Sequence, residues 1–415
     1  MSLFSPNPNR KQVFWWFLAS LAIALLYMLL VMQPSFGRDY LVQDDARQHV
    51  FWMQQFRDPG LFRNDWIADY FRSIVPWGYT TFYGITAGLG IDPLVLSRFI
   101  PLGLGLVTTG FCFGICYQIF PVPIAAFLST FLLTQNLWIK DDLASGTPRA
   151  FFYPMFTAFL YFLLQRSQKP VLWKSLLPCC VTLLLQGLFY PQTLLLSCGV
   201  LVLNFVEWQK GRIRLPQTRG EWGFVAAGLI TAFLVLLPFA LQTSEYGPIL
   251  TAAEARPMPE FADQGRVRYF VPPLEYWLSW QRSGIFPTLW VPPLLLAGFL
   301  LPLLGRFHDR IPLLHQIRPQ VKLLVDVILA SLGWFFLAHA LLFRLQLPSR
   351  YTQHSFRIIC AVAAAIALTL LLDALWQWYQ ALPAVTARQT RPLLLGSAAL
   401  FGAILLYFTP TPPTS

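Results

Sequence analysis

Long apolar stretches are the feature of this sequence that most restricts its fold. Each stretch holds about 17–25 residues, which matches a hydrocarbon core of about 30 Å at a helical rise of about 1.5 Å per residue. Only 12% of the residues are charged, about half of the share found in a soluble domain. Because backbone groups in lipid must satisfy one another, the stretches are predicted to be helices. The sequence therefore predicts an all-α, polytopic membrane protein and excludes a soluble domain.

The apolar stretches define about eleven predicted transmembrane helices. Two of them, 174–189 and 192–206, are short and meet at Tyr190-Pro191. They form either a hairpin or one long bent helix, and a bent helix would reverse the topology of everything that follows. The predicted spans are, approximately, 13–32, 97–119, 122–138, 150–165, 174–189, 192–206, 222–241, 285–304, 322–343, 356–375 and 392–408.

The net charge of +11 is spread over the short loops between the spans, without a contiguous basic face. This distribution indicates membrane topology rather than nucleic-acid binding, because basic residues concentrate in cytoplasmic loops. With a cytoplasmic N-terminus and a hairpin, five of the six lysines lie inside, and so does the basic loop 210–214. We therefore favour the hairpin and expect a multi-pass plasma-membrane protein whose loops 33–96 and 242–284 lie outside.

Both large external loops are rich in Trp, Tyr and Phe, which is typical of interfacial helices. The first loop, 33–96, carries the adjacent carboxylates of Asp44 and Asp45 ahead of a predicted short helix. Either carboxylate can cap that helix. A second carboxylate beside a cap is repelled by the first unless a cation or a raised pKa relieves it. The pair is therefore open to two interpretations, a helix cap or a functional site.

A second acidic pair, Asp141 and Asp142, lies in the external loop before the fourth span. The following Thr147-Pro148 looks like the start of a helix with Pro at its first position. Asp141 and Asp142 lie too far upstream to cap that helix. Two acidic pairs on one face, in a chain with only 19 acidic residues, favour a functional role.

Basic and aromatic residues on the same face form the other candidate group. Arg350, Tyr351 and Arg357 lie where the ninth loop meets the tenth span. Such arginines either anchor a helix at the lipid headgroups or bind phosphate through the planar guanidinium group. Arg268 lies in the second external loop, and His49 follows the first acidic pair. We expect carboxylates and arginines to converge on this face.

This layout resembles the GT-C superfamily of integral membrane glycosyltransferases, and especially the lipid A aminoarabinose transferases and the protein O-mannosyltransferases. In those enzymes the first span leads into an external loop that opens with an acidic pair, here Asp44-Asp45. In those enzymes interfacial helices follow, and residues 77–90 resemble the one just before the second span. An arginine then lies near the start of the second span, and Arg98 is at this position here. A second acidic site corresponds to Asp141-Asp142, and the hairpin at 174–206 also has a counterpart.

The resemblance covers about residues 13–240 by arrangement, and the rest of the chain only by general character. It divides the protein into a GT-C-like transmembrane module, 1–240, and a variable C-terminal transmembrane module, 241–415. Two features depart from the family pattern. The first acidic pair is Asp-Asp rather than Asp-Glu, and the hairpin tip carries Gln192 without the lysine often found there.

The resemblance implies a cell-envelope enzyme that moves a sugar from a polyprenyl-phosphate donor to a glycan, lipid or protein acceptor on the outer face. Asp44 or Asp45 would be the general base. Asp141 and Asp142 would form a second acidic site that can hold a divalent cation, Mg²⁺ or Mn²⁺. Inversion at the anomeric carbon is expected, since one base and no covalent nucleophile are needed. The residues predicted to bind substrate or its phosphate are Arg350, Tyr351, Arg268, Arg357, Arg98 and His49.

Two other functions are compatible with a polytopic helical chain. A transporter or flippase for lipid-linked or small polar solutes would place ionisable residues at mid-membrane depth and broken helices in two related halves. A non-catalytic membrane scaffold would tolerate replacement of Asp44 and Asp45. Few ionisable residues lie within the predicted spans, and the sequence has no symmetry between its halves. The glycosyltransferase interpretation is therefore favoured.

Overall fold

The computed structural model of the protein describes most of the chain. The described residues are 8–36, 42–139, 143–168, 172–209, 212–216, 218–242, 245–286 and 291–383, with 390, 392, 396–397, 402–404 and 407. The predicted eleventh span, 392–408, and the acidic pair Asp141-Asp142 therefore lie outside the described residues, apart from a few positions of the span.

Helices make up nearly all of the regular structure in the described residues. Short 3-10 helices occur between the α-helices, and one antiparallel pair of strands, β1 (Glu207–Gln209) and β2 (Arg212–Arg214), pairs Trp208 with Ile213. The α-helices are α1 (Arg10–Phe36), α2 (Asp44–Val50), α3 (Trp66–Ile74), α4 (Trp77–Gly88), α5 (Pro93–Ile119), α6 (Pro123–Ile139), α7 (Phe152–Gln168), α8 (Leu172–Phe189), α9 (Pro191–Phe205), α10 (Arg219–Leu241), α11 (Ala252–Ala255), α12 (Pro273–Leu278), α13 (Leu301–Leu304), α14 (Lys322–Ala340) and α15 (Ser349–Gln380).

Many of these helices are apolar enough to lie in a membrane. Five are also long enough to cross it: Arg10–Pro34, Pro93–Ile119, Arg219–Leu241, Pro319–Ala340 and Ser349–Gln380. Shorter apolar helices lie at Pro123–Ile139, Lys174–Phe189, Pro191–Phe205 and Pro293–Phe307. The protein is therefore a polytopic, helical membrane protein, and the predicted spans between residues 13 and 375 coincide with helices in all but one case.

The exception is the predicted span 285–304. Its described part forms a 3-10 helix, Pro293–Leu300, followed by the single turn of α13. Pro292, Pro293 and Pro302 remove backbone donors that a continuous α-helix needs. The segment packs closely on α15, since a Cβ added at Gly298 would lie 3.1 Å from the carbonyl oxygen of Cys360. Contacts with α15 therefore stabilise a segment whose own sequence interrupts a helix.

Helices α8 and α9 form the hairpin that the loop charges favoured. Tyr190 between them is extended, with φ −153° and ψ 87°, and Pro191 begins the second helix. A Cβ at Gly228 of α10 would contact both Leu201, at 2.7 Å, and Leu183, at 3.4 Å. In one continuous helix these two leucines would lie about 27 Å apart at about 1.5 Å per residue. The two helices therefore run side by side.

The hairpin places the helix ends at two opposite ends of the bundle. The tip of the hairpin and the first loop lie at one end, which we call the loop end. At the opposite end Arg166, Asn204, Glu221 and Lys322, from α7, α9, α10 and α14, line one cavity of about 400 Å³. The chain thus returns to the opposite end between α9 and α10, as a hairpin requires.

The first loop is a folded part of the protein with its own small core. Trp52, Tyr79 and Tyr83 of the loop are buried against Phe151 and Phe189 of the bundle. The ring of Phe151 stacks on that of Phe189 with centroids 4.6 Å apart. Aromatic packing therefore fixes the first loop on α5, α8 and the 3-10 helix Pro148–Phe151. The described part of the loop contains the helices that the sequence predicted there.

A polar contact at the opposite end links α9 to α14. The buried carboxylate of Asp326 accepts hydrogen bonds from Lys322, at 2.7 Å, and from the amide of Asn204, at 3.1 Å. We expect Asp326→Ala to lower the free energy of unfolding by about 3 kcal/mol, because it leaves a partly buried ammonium group without its carboxylate. Thermal unfolding of the purified protein in detergent measures this loss.

The matched control is Arg47→Ala. It removes the exposed ion pair with Asp44, which has a nitrogen–oxygen distance of 3.0 Å, and such pairs contribute little. We expect the melting temperature of this variant to equal that of the wild type. An Asp326→Ala protein as stable as the Arg47→Ala protein would show that the contact does not stabilise the bundle.

Candidate functional site

A cavity of about 580 Å³ lies at the loop end and is among the largest cavities of the described structure. Its walls come from α2, the end of α3, the start of the 3-10 helix at Pro148, the hairpin tip at Tyr190–Gln192, the end of α10 and the segment 344–351. Six parts of the chain therefore meet at one place. The cavity brings together charged side chains and apolar ones such as Ile74, Leu195 and Phe239.

The first acidic pair begins helix α2, but neither carboxylate caps it. The cap is Gln43, whose side-chain oxygen accepts a hydrogen bond from the backbone N–H of Ala46 at 3.0 Å. Asp44 and Asp45 both lie in the first turn, where the helix dipole stabilises a negative charge. The interpretation of the pair as a helix cap is therefore wrong, because Gln43 already fills that role.

The two carboxylates differ in their surroundings. Asp45 lines the cavity, and its Oδ2 lies 2.9 Å from Nη2 of Arg149. Asp44 is not among the cavity's lining residues, and its side chain is 74% exposed beside Arg47. Within the pair, Asp45 is the one that a molecule in the cavity would meet.

Arg149 reaches Asp45 because the loop before it is tightly held. The hydroxyl of Tyr79 donates to the carbonyl of Gly146 at 3.0 Å. Gly146 has φ +58°, and a Cβ there would lie 3.1 Å from the carbonyl of Ser97. Glycine is thus needed at this position. Pro148 then begins the 3-10 helix that carries Arg149 into the cavity.

His49 lies one turn after Asp45 on α2 and also lines the cavity. Burial lowers the pKa of its imidazole; the charge of Asp45 opposes this shift, and that of Arg149 adds to it. Its Nδ1 is buried and has no hydrogen-bond partner in the described part of the chain. His49 is therefore a neutral ring at pH 7 that can hydrogen-bond to a ligand.

Another wall of the cavity is basic. Arg350 and Tyr351 begin α15, and Arg344 lies in the segment before it. The hydroxyl of Tyr351 donates to the carbonyl of Leu345 at 3.0 Å, and this bond holds the segment against the helix. The backbone carbonyl of Gln281, in the second large loop, accepts from the Oγ of Ser349 at 2.7 Å. Two loops therefore position these arginines.

The cavity brings together four of the residues that the sequence predicted, namely Asp45, His49, Arg350 and Tyr351. The other lining residues with polar side chains include Arg149, Arg344 and Gln192. Arg149 and Arg344 lack a recognisable motif. Their position shows only once the chain is folded, although Arg149 directly precedes the predicted span 150–165 and Arg344 directly follows the predicted span 322–343.

Three other predicted residues lie away from the cavity lining. Arg268 pairs with Asp263 at 3.0 Å, and its guanidinium lies over the ring of Trp280. Arg357 is fully buried between helices, where its Nη1 donates to the hydroxyl of Tyr153 at 2.9 Å. Arg98 lies on α5, partly buried.

A divalent cation needs several oxygen ligands. In the described residues no three side chains of His, Cys, Asp or Glu come together. The cavity's acidic residue in this part of the chain, Asp45, is paired with Arg149. The described residues therefore do not fit such a cation by themselves, and the predicted ligands Asp141 and Asp142 lie outside them.

Comparison with known proteins identifies the fold. No protein-family model and no curated protein matches the chain. Among solved structures it is similar to the apo crystal structure of the oligosaccharyltransferase of Archaeoglobus fulgidus, with a TM-score of 0.53 and 13% identity. The match covers 95% of this chain and 55% of the archaeal chain. This protein therefore spans about half the length of that structure.

The protein shares the fold of this archaeal oligosaccharyltransferase. The fold that the resemblance to the GT-C superfamily implied is thereby confirmed. Because the match covers 95% of the chain, it includes the C-terminal half, which the sequence related to the superfamily only by general character.

The lowered pKa of His49 predicts how the stability of the site varies with pH. An imidazole with a lowered folded-state pKa stabilises the fold above its unfolded pKa of about 6.5, and this stability is lost as the pH falls towards the folded pKa. His49→Gln should therefore reduce the decline of the melting temperature between pH 7 and pH 5. The exposed His308 provides a control, His308→Gln. An unchanged decline in His49→Gln would contradict the assignment.

Proposed function

We propose that this protein is a glycosyltransferase that takes a sugar from a polyprenyl-phosphate donor and transfers it to a hydroxyl acceptor at the loop end. One observation carries the proposal: a carboxylate, Asp45, and a basic wall with Arg350 line one cavity in a GT-C fold. A sugar phosphate requires both kinds of group, a base for the acceptor and positive charge for the leaving phosphate.

The reaction follows from the two walls of the cavity. The acceptor oxygen attacks the anomeric carbon while its proton passes to the carboxylate of Asp45. The bond between this carbon and the phosphate oxygen breaks, and its electrons remain on the polyprenyl phosphate. Arg350 and Arg344 stabilise the charge that develops on the phosphate. One displacement without a covalent intermediate inverts the anomeric configuration.

The apolar part of the site suits the polyprenyl chain. Ile74, Leu195 and Phe239 line the cavity beside the charged residues. Phe239 lies near the end of helix α10. The part of this helix that precedes Phe239 exposes apolar side chains, which include Phe233 and Leu237. A chain that enters from the lipid along α10 would bring its phosphate to the arginines without exposing its tail to water.

We place the cavity on the outer face of the plasma membrane, with the N-terminus in the cytoplasm. The basic residues support this orientation, since Arg166 and Lys322 lie at the opposite end of the bundle. The acceptor is then a glycan, lipid or protein of the cell envelope. A divalent cation held by Asp141 and Asp142 belongs to the same proposal. We also propose that the protein has about eleven transmembrane helices and consists of two modules, 1–240 and 241–415.

Loss of the general base should abolish most of the activity. We expect Asp45→Asn to lower transfer about a hundredfold or more, because a positioned base contributes about 10²–10⁴ to the rate. The measurement is transfer of radiolabelled sugar from endogenous polyprenyl-phosphate carriers in membranes with equal protein levels. A strain without the protein gives the blank.

Arg47→Gln is the control, since Arg47 is exposed and pairs with Asp44 outside the cavity. Comparison of Asp44→Asn with Asp45→Asn shows which of the two carboxylates is the base. We expect the larger loss of transfer activity in Asp45→Asn. Wild-type transfer equal to the blank for several carrier sugars would argue against a glycosyltransferase. Full activity of Asp45→Asn would assign the base elsewhere.

Arg350 should act on the phosphate rather than on the acceptor. We expect Arg350→Gln to lower kcat/KM for the donor about 10- to 100-fold, while the KM for the acceptor stays within about twofold. Arg350→Lys should recover part of this loss, since it keeps the charge but not the planar guanidinium. A larger effect on the acceptor KM than on the donor would contradict the assignment.

A further inference from the structure

The ion pair between Asp45 and Arg149 joins two walls of the cavity. The two residues are 104 positions apart, and Nη2 of Arg149 donates to Oδ2 of Asp45 at 2.9 Å. The nearby pair of Asp44 and Arg47 has almost the same length, 3.0 Å, but joins residues of one helical turn in water. Only the first of these two pairs faces the cavity.

This pair occupies both groups that a transfer reaction would use. Oδ2 of Asp45 accepts from a guanidinium, so that one of its acceptor positions is taken up by Arg149. Arg149 in turn is held beside a carboxylate while Arg344 and Arg350 line the same cavity. Separation of Asp45 from Arg149 would leave the whole carboxylate for the acceptor and the whole guanidinium for a phosphate.

We propose that Arg149 is a phosphate-binding residue that exchanges partners, from Asp45 in the unliganded protein to the donor phosphate in the complex. Donor binding then frees Oδ2 of Asp45 for the acceptor hydroxyl. The donor then binds before the acceptor, and Oδ2 of Asp45 is released from Arg149 only when the donor is in place. This inference rests on the proposed glycosyltransferase function.

Three features make the exchange favourable. The side chains of Arg149 and Asp45 are 23% and 41% exposed, and pairs that water reaches are weak. A phosphate group offers a guanidinium two parallel hydrogen bonds, a stronger arrangement than a single contact. The described charged side chains that line the cavity include three arginines and one carboxylate, so an anion is attracted to it.

The exchange can be measured by binding, without any transfer. The probe is a radiolabelled polyprenyl monophosphate, and the protein is the full chain in nanodiscs. Since Asp45 competes with the phosphate for Arg149, we expect Asp45→Asn to tighten binding about fivefold. Arg149→Gln should weaken binding about tenfold. Arg47→Gln, which alters only the exposed pair, should leave the affinity unchanged.

The double variant separates the exchange from simple repulsion between Asp45 and the phosphate. If Asp45 acts by holding Arg149, then Asp45→Asn has no effect in the Arg149→Gln background. If it only repels the phosphate, the fivefold gain persists there, and the inference is overturned. Arg149→Lys keeps the charge and provides a second background in which the gain should shrink.

The outcomes also distinguish this inference from the proposed function. Wild-type protein that binds the probe, with no gain from Asp45→Asn, overturns the exchange alone. Wild-type protein that does not bind a polyprenyl monophosphate overturns both the exchange and the proposed donor.

Discussion

The packing of the first loop on the helix bundle is the interaction on which the site depends. Asp45 and His49 lie on a helix of only seven residues, which is too short to be stable alone. It is held because the neighbouring Trp52, Tyr79 and Tyr83 are buried against Phe151 and Phe189. Without these aromatic contacts Asp45 would not face the cavity.

The same contacts explain where the arginines lie. Tyr79 bonds to Gly146 and thus fixes the loop that leads to Arg149. Phe151, in the same 3-10 helix as Arg149, packs on the hairpin at Phe189. One aromatic cluster therefore positions both the carboxylate and its partner, while the second large loop fixes Arg350 from the other side.

Much of the fold could be predicted from the sequence because lipid imposes a simple rule on it. Helix lengths and the loop charges gave the spans and the hairpin at Tyr190. Span 285–304 was different, since its prolines break the helix and contacts with α15 hold the segment together. Apolar composition reports burial in lipid or protein but not helical continuity.

The site could be predicted in part. Asp45 was predicted from the acidic pair and Arg350 from the arginines at the membrane interface, because charged residues are rare in this chain. The choice of Asp45 over Asp44 needed the structure, since only the folded chain shows which of the two carboxylates lines the cavity. Arg149 was missed because its role depends on a contact across 104 residues. Arg357 was predicted at the interface but is buried against Tyr153.

The central claim is that the cavity beside Asp45 binds the polyprenyl-phosphate donor. Photocrosslinking with a polyprenyl phosphate that carries a diazirine near its phosphate tests this most directly, with the modified peptides identified by mass spectrometry. We predict labels at the hairpin tip, on Tyr190–Gln192 and Leu195, and in the segment 344–351, both of which contribute to the cavity lining. Labels confined to the opposite end of the bundle, around Arg166 and Lys322, would contradict the account.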